Sequence, residues 1–154
     1  MSELPSWEDM VSGANCPMCT ELPDVNQFNY KVADLSVSRL LLEREQTYPG
    51  YCVLMFKERH VTGLEQLTDE EYTAFMSDLR QAAKAITAAV NPDHMNYATL
   101  GNIIPHLHYH IIPRTENDPR WRGPVWTTTP KEMVRMELED DEYRALVERI
   151  KREL

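Results

Sequence analysis

The run Pro105-His106-Leu107-His108-Tyr109-His110-Ile111-Ile112-Pro113 places three of the chain's five histidines within five residues. In an extended strand successive side chains point to opposite faces. The spacing therefore predicts His106, His108 and His110 on one face and Leu107, Tyr109 and Ile111 on the other. Neighbouring imidazoles on such a face stand about 6.5–7 Å apart. The apolar back is ready to pack in a core. The front has three chemically distinct uses. It can be a solvated polar face, or a metal centre of three imidazoles. It can also be a site of nucleophilic catalysis at phosphorus, where one imidazole attacks while its neighbours fix its tautomer and hold charge.

Upstream, Lys31–Asp34, Ser38–Glu43 and Tyr51–Phe56 are short extended runs, with turn chemistry at Tyr48-Pro49-Gly50. Cys52-Val53-Leu54-Met55-Phe56 is continuously apolar, as a strand buried on both faces would be. Thr68-Asp69-Glu70-Glu71 fits a capping box with Thr68 at the N-cap. Tyr72, Phe75, Met76, Leu79, Ala83, Ile86 and Val90 then form one apolar stripe of a long helix, which Asn91-Pro92-Asp93 ends. Met95–Leu100 is a further extended segment ahead of the histidine run. Residues 1–28 read as an irregular N-terminal arm, and Glu116–Trp126 as a wrapping loop with two prolines and a glycine. Between Pro130 and Leu154 the chain is helix-compatible, with Asp140 as N-cap and a stripe of Tyr143, Leu146, Val147, Ile150 and Leu154. This order gives a single α+β domain over residues 1–154, an antiparallel sheet of about five strands with a long helix and a C-terminal helix.

The 154 residues are enough to bury a core without disulfide staples. Acids outnumber bases 25 to 16, for a formal charge of −9, which excludes a general nucleic-acid binder. No apolar run is long enough to cross a bilayer, and the N-terminal residues lack the basic start and apolar stretch of a signal peptide, so no membrane partner and a cytoplasmic location are expected. Cys16-Pro17-Met18-Cys19 in a reducing compartment suggests a metal site or a redox pair. Cys52 sits in the apolar run and suits core packing.

Pro105-His106-Leu107-His108-Tyr109-His110-Ile111-Ile112 resembles the signature of the histidine triad (HIT) family, His-φ-His-φ-His-φ-φ with φ apolar. The resemblance extends to the Cys16–Cys19 pair, to Tyr48-Pro49-Gly50-Tyr51-Cys52-Val53, to Lys57-Glu58-Arg59-His60-Val61, and to Asn96 and Gly101-Asn102. It spans about residues 14–115. The tail from Asp118 to Trp126 is similar to that of a bacterial branch of the family.

The resemblance implies a HIT-like fold and a nucleotide hydrolase or transferase acting on the α-phosphate of its substrate. His108 would be the nucleophile, forming a covalent nucleotidyl-imidazole, and His110 would orient it and help bind phosphate. Asn96 and Asn102 match substrate-contacting positions, and Glu43 falls where relatives place a group on the ribose hydroxyls. Zinc-bearing relatives imply a structural zinc on Cys16, Cys19, His60 and His106; His94 is the one other histidine outside the triad run. Homodimers and an adenine nucleotide are further implications.

Some relatives carry a glycine-rich stretch and a hydroxyl close before the triad, where this chain has Thr99-Leu100-Gly101-Asn102-Ile103. That leaves fewer amides to cradle phosphate and keeps the leaving group open among phosphoramidates, dinucleoside polyphosphates and nucleotidyl-sugars. A nucleotide-binding module with little turnover and a three-histidine metallohydrolase are the alternatives. Trp121 and Trp126 either cap the pocket or anchor the loop.

Overall fold

The computed structural model describes residues 4–126 and 136–154. Its frame is a five-stranded antiparallel sheet of β1 (Asn29–Asp34), β2 (Ser38–Glu43), β3 (Cys52–Phe56), β4 (His94–Ala98) and β5 (His108–Arg114), in the order β1-β2-β3-β5-β4. The turn into β3 depends on Gly50, whose φ of +91° is costly for any side chain and whose Cβ would press on Val90 and Pro113. The buried Gln46 closes the same turn. Its amide donates to the carbonyls of Glu43 and Tyr51, and its oxygen accepts from the Gly50 N–H.

Cys52, Leu54 and Phe56 of β3 face a helical layer with Leu107 and Ile111, whereas Val53 faces the opposite side with Ile112. The all-apolar run is therefore buried on both faces, as its composition predicts. The helical layer comprises α2 (Asp69–Val90) and α3 (Asp140–Glu153), preceded in the chain by the short α1 (Trp7–Ser12). The α2 capping box between Thr68 and Glu71 is formed, and Asn91 ends the helix in a left-handed conformation. Phe75 meets Phe56 edge to face at 5.5 Å, and Tyr143 of α3 stacks on Tyr30 of β1 at 4.8 Å. Asp78, buried in α2, accepts from the Val37 N–H and the Ser38 hydroxyl and so ties the β1–β2 hairpin to the helix.

Four expectations need correction. The arm is not wholly irregular, because Ser6 caps α1 by accepting from the Asp9 N–H. Tyr72 is 47% exposed and lies off the buried stripe of α2. Glu139, not Asp140, caps α3, because Glu139 and Glu142 form a capping box while Asp140 accepts from the Tyr30 hydroxyl. His106 precedes β5 rather than belonging to it, since its N–H donates back to the Ile104 carbonyl in a tight turn. The start of the segment from Pro130 lies outside the described residues. Among the described residues no helix is long and apolar enough to cross a membrane.

Candidate active site and metal centre

Register, more than sequence distance, assembles the pocket. On the face away from the helices, β5 carries His108 and His110, and His110 pairs with Val53, Val53 with Leu41, and Leu41 with Lys31. Strands lie about 4.8 Å apart, so this row runs about 14 Å from the histidines to the β1 edge. Glu43 pairs with Asn29 beside it. Pro17 and Met18 of the arm and the loop Leu100–Ile104 complete a cavity of about 650 Å³ over this floor.

The hydrogen bonds fix the protons on the two pocket histidines. His108 Nδ1–H donates to the His106 carbonyl at 2.6 Å, so in the neutral ring Nε2 carries the lone pair. His108 Nε2 lies 3.2 Å from His110 Nε2, so the proton between them belongs to His110. His110 Nδ1 is then bare and accepts from the Tyr51 hydroxyl at 2.7 Å. Burial lowers the pKa of His108 against the opposing effect of the His106 carbonyl. Burial, with the neighbouring His108, lowers that of His110 to about 4. Both rings are neutral at pH 7, which gives a nucleophilic nitrogen and an adjacent N–H donor.

Burial pushes the Glu43 carboxyl up to about 7; a hydrogen bond from Asn29 offsets part of this and Glu45 adds to it. The pocket's cations, Lys31 and Arg39, are both paired with Asp34 at the far edge. Near His108, the amides of Asn102, Ile103 and Ile104 have no acceptor among the described residues, and they follow the left-handed Gly101 at φ +65°. Such a run of free N–H groups suits an anion.

His106 is turned away from the pocket. Its Nδ1 lies 3.5 Å from Cys16 Sγ and 3.4 Å from Cys19 Sγ, and His60 Nδ1 lies 3.4 Å from Cys19 Sγ. All four ligand atoms fall within 4.8 Å of one another. Tetrahedral zinc, with bonds of about 2.1 Å to nitrogen and 2.3 Å to sulfur, needs nitrogen–sulfur edges of about 3.6 Å. The donors fit. Both histidines are also in the required tautomer, because His106 Nε2–H donates to the Phe56 carbonyl at 2.7 Å and His60 Nε2–H to the Val11 carbonyl at 3.0 Å. Burial and the adjacent Cys16 raise the Cys19 thiol to about 11, a cost that a divalent cation between the sulfurs would relieve. Gly13 permits this approach, since a Cβ there would lie 2.9 Å from the His60 ring.

Of the residues singled out from sequence, His108, His110, Glu43 and Asn102 line one pocket, and Cys16, Cys19, His60 and His106 form one cluster. Asn96 stands apart. Its side-chain oxygen accepts from Arg114 at 2.6 Å, and it is not among the pocket's lining residues. Trp126 lines the pocket with its ring edge to face against His110 at 5.0 Å, while Trp121 stays in the wrapping loop. Sequence reasoning missed Tyr51. Its signal is one hydroxyl at a strand end, which becomes meaningful only once β3 is paired with β5.

A family model described as the HIT domain matches residues 28–117. An adenosine 5′-monophosphoramidase from Schizosaccharomyces pombe is 28% identical over 127 residues, covering 78% of this chain and 84% of its own length. A bis(5′-adenosyl)-triphosphatase from Dictyostelium discoideum is 28% identical over 122 residues, covering 73% of this chain and 81% of its own. Among solved structures, histidine triad proteins from Bradyrhizobium japonicum and Sinorhizobium meliloti share the fold. Their TM-scores are 0.76 and 0.75 at 23% and 24% identity, over 87% and 83% of this chain and 96% and 91% of theirs.

Proposed function

The chain belongs to the histidine triad family, and on that premise we propose that it is a nucleotide hydrolase or transferase acting at the α-phosphate of a nucleoside phosphoramidate or a dinucleoside polyphosphate. One observation carries the reading: a neutral His108 whose bare Nε2 faces a pocket that also holds Glu43 and a run of free amides. The names of the two relatives, a phosphoramidase and a dinucleoside triphosphatase, both on adenosine compounds, support this class and an adenine base.

The reaction runs in two displacements. The His108 Nε2 lone pair forms a bond to the α-phosphorus as the bond from phosphorus to the leaving group breaks, with its electron pair departing on that group. A phosphate leaves as an anion, whereas an amine takes a proton from water, since Ile103 offers no hydroxyl. A water oxygen then bonds to phosphorus and loses its proton to solvent. The N–P bond breaks, its pair returns to Nε2, and the nucleoside monophosphate is released. His110 holds His108 and donates to a phosphoryl oxygen, Asn102 and the neighbouring amides bind phosphate, and the Glu43 carboxylate accepts from the ribose hydroxyls. Asn96 acts through Arg114, which holds the loop carrying Trp126.

Cys16, Cys19, His60 and His106 would hold zinc, which when bound supplies a structural cross-link between arm and sheet. The turn of His106 toward the cysteines counts against a metal centre of all three triad imidazoles. Thiols kept as ligands suit a cytoplasmic location. The half-open β4 edge, with Tyr97 49% exposed, and the adjoining α2 groove at Met76 and Leu79 suit pairing with a second copy as a homodimer.

The test is release of AMP from adenosine 5′-phosphoramidate and from diadenosine tetraphosphate, in EDTA, by wild type and His108→Ala. Turnover that survives EDTA and vanishes in the variant supports the reading. No turnover of either compound by folded wild type overturns it and leaves a nucleotide-binding module.

A further inference from the structure

We propose that Tyr51 is a positioning residue that sets which nitrogen of His110 carries the proton, and so keeps an N–H aimed at the reacting centre. The inference rests on the reading of His108 as nucleophile.

Tyr51 is 9% exposed, and its hydroxyl has one hydrogen-bond partner among the described residues, His110 Nδ1 at 2.7 Å. Its backbone cannot drift. The carbonyl accepts from the Glu43 N–H and from Gln46, and the N–H donates to the Tyr48 carbonyl. The ring packs with Tyr48, Val53, Ile112 and Val125, so the hydroxyl is held at a fixed place beside β5.

Only one neutral proton arrangement of the two rings satisfies both the Tyr51 contact and the contact between the two Nε2 atoms. If His110 Nδ1 instead donated to the phenol oxygen, its Nε2 would be bare and would face a bare His108 Nε2 at 3.2 Å. Relieving that repulsion would require a second proton on His108, whose Nδ1–H is already committed to the His106 carbonyl. A buried imidazolium is the costlier state. Burial holds the Tyr51 phenol well above its usual range, so it is a donor at neutral pH. When phosphate enters, the His110 Nε2–H passes from His108 Nε2 to a phosphoryl oxygen and leaves the lone pair free to attack. Without the Tyr51 hydroxyl the two tautomers of His110 approach equal population, and a fraction of molecules presents a lone pair to the anion.

Nitrogen-15 NMR of imidazole-labelled wild type reads the tautomer directly and needs no turnover. The proposal expects His110 protonated at Nε2 and bare at Nδ1; protonation at Nδ1 overturns it. In Tyr51→Phe, which removes one oxygen and keeps the ring, the His110 signals should shift toward a mixture of tautomers. Its kcat should fall about tenfold, the rate equivalent of one lost hydrogen bond, with KM within about twofold. Unchanged His110 signals together with unchanged kcat overturn the role of Tyr51 while leaving His108 intact. Persistence of turnover in His108→Ala is a separate result, and it removes the catalytic reading underneath.

Discussion

His106 serves His108 with its backbone and the cysteines with its ring. The His106 carbonyl accepts the Nδ1 proton of His108 at 2.6 Å, while the His106 imidazole lies 3.5 Å and 3.4 Å from the sulfurs of Cys16 and Cys19. The acceptor that fixes the tautomer of the proposed nucleophile is therefore anchored by the cluster, and loss of the cluster should be felt at the α-phosphate.

Cys16→Ser with Cys19→Ser should lose bound zinc, lower Tm by on the order of 10 °C and reduce kcat without abolishing it. Metal analysis, calorimetry and AMP release check the three effects separately. Stoichiometric zinc in the double variant would sink the assignment of these ligands.

The two acid-sensitive groups should appear in different kinetic parameters. The folded pKa of His110 is depressed to about 4, so its ring stays neutral above that pH and the acid limb of kcat should lie below the ordinary imidazole range. Glu43 is shifted upward to about 7, so KM for the nucleotide should fall as pH rises through 7 and the carboxylate forms. Stability moves the other way. A carboxyl with a raised folded pKa binds more protons in the native state between its ordinary value and 7, so its contribution declines as pH rises across that window. Glu43→Gln should therefore raise Tm at pH 8, leave it unchanged at pH 4, and flatten the pH dependence of KM; titration calorimetry and melting curves decide.

Arg114 and Asp118 are both nearly inaccessible and share two short contacts, and Arg114 also reaches Asn96 and the carbonyls of Arg120 and Gly123. Asp118→Ala leaves a buried guanidinium short of its partner and should cost about 3–5 kcal/mol, measured by urea unfolding. Burial raises the Asp118 pKa, but the hydrogen bond and charge of Arg114, with the backbone hydrogen bonds at Arg120 and Thr115, together outweigh this and leave it lowered. The pair therefore stabilises above the ordinary carboxylate range and is lost as pH falls through the folded value. Wild type should lose this increment in acid and the variant should not.

Trp126 stands edge to face on His110 at 5.0 Å and is 39% exposed, so it can report on whatever fills the pocket. Trp126→Ala should remove most of the nucleotide-dependent change in tryptophan fluorescence, against the background of Trp7 and Trp121, and raise KM about fivefold. A fluorescence change of full size in the variant would place Trp126 outside the binding event.

Local patterns carried the elements: the apolar Cys52–Phe56 run is a strand, the Thr68–Glu71 box opens a helix, and the stripe from Tyr143 to Leu154 packs on the core along and just past α3. What stayed hidden depends on partners distant in the chain. Alternation put His106 beside His108, but the turn from Ile104 and the pull of the cysteines take its ring elsewhere. Nothing near Asn96 announces Arg114, and nothing near Tyr51 announces His110, because strand pairing creates both contacts. The six-residue α1 is too short for periodicity to show.

Cys16 and Cys19 meet His106 and His60 at the two ends of a segment whose middle, Pro17 and Met18, forms part of the pocket wall. Anchorage and selectivity are thus allotted to alternate parts of one four-residue stretch. The wall is an interchangeable panel: new side chains at positions 17 and 18 can alter which ligands are admitted while the hinge points, the sheet and the histidines stay where they are.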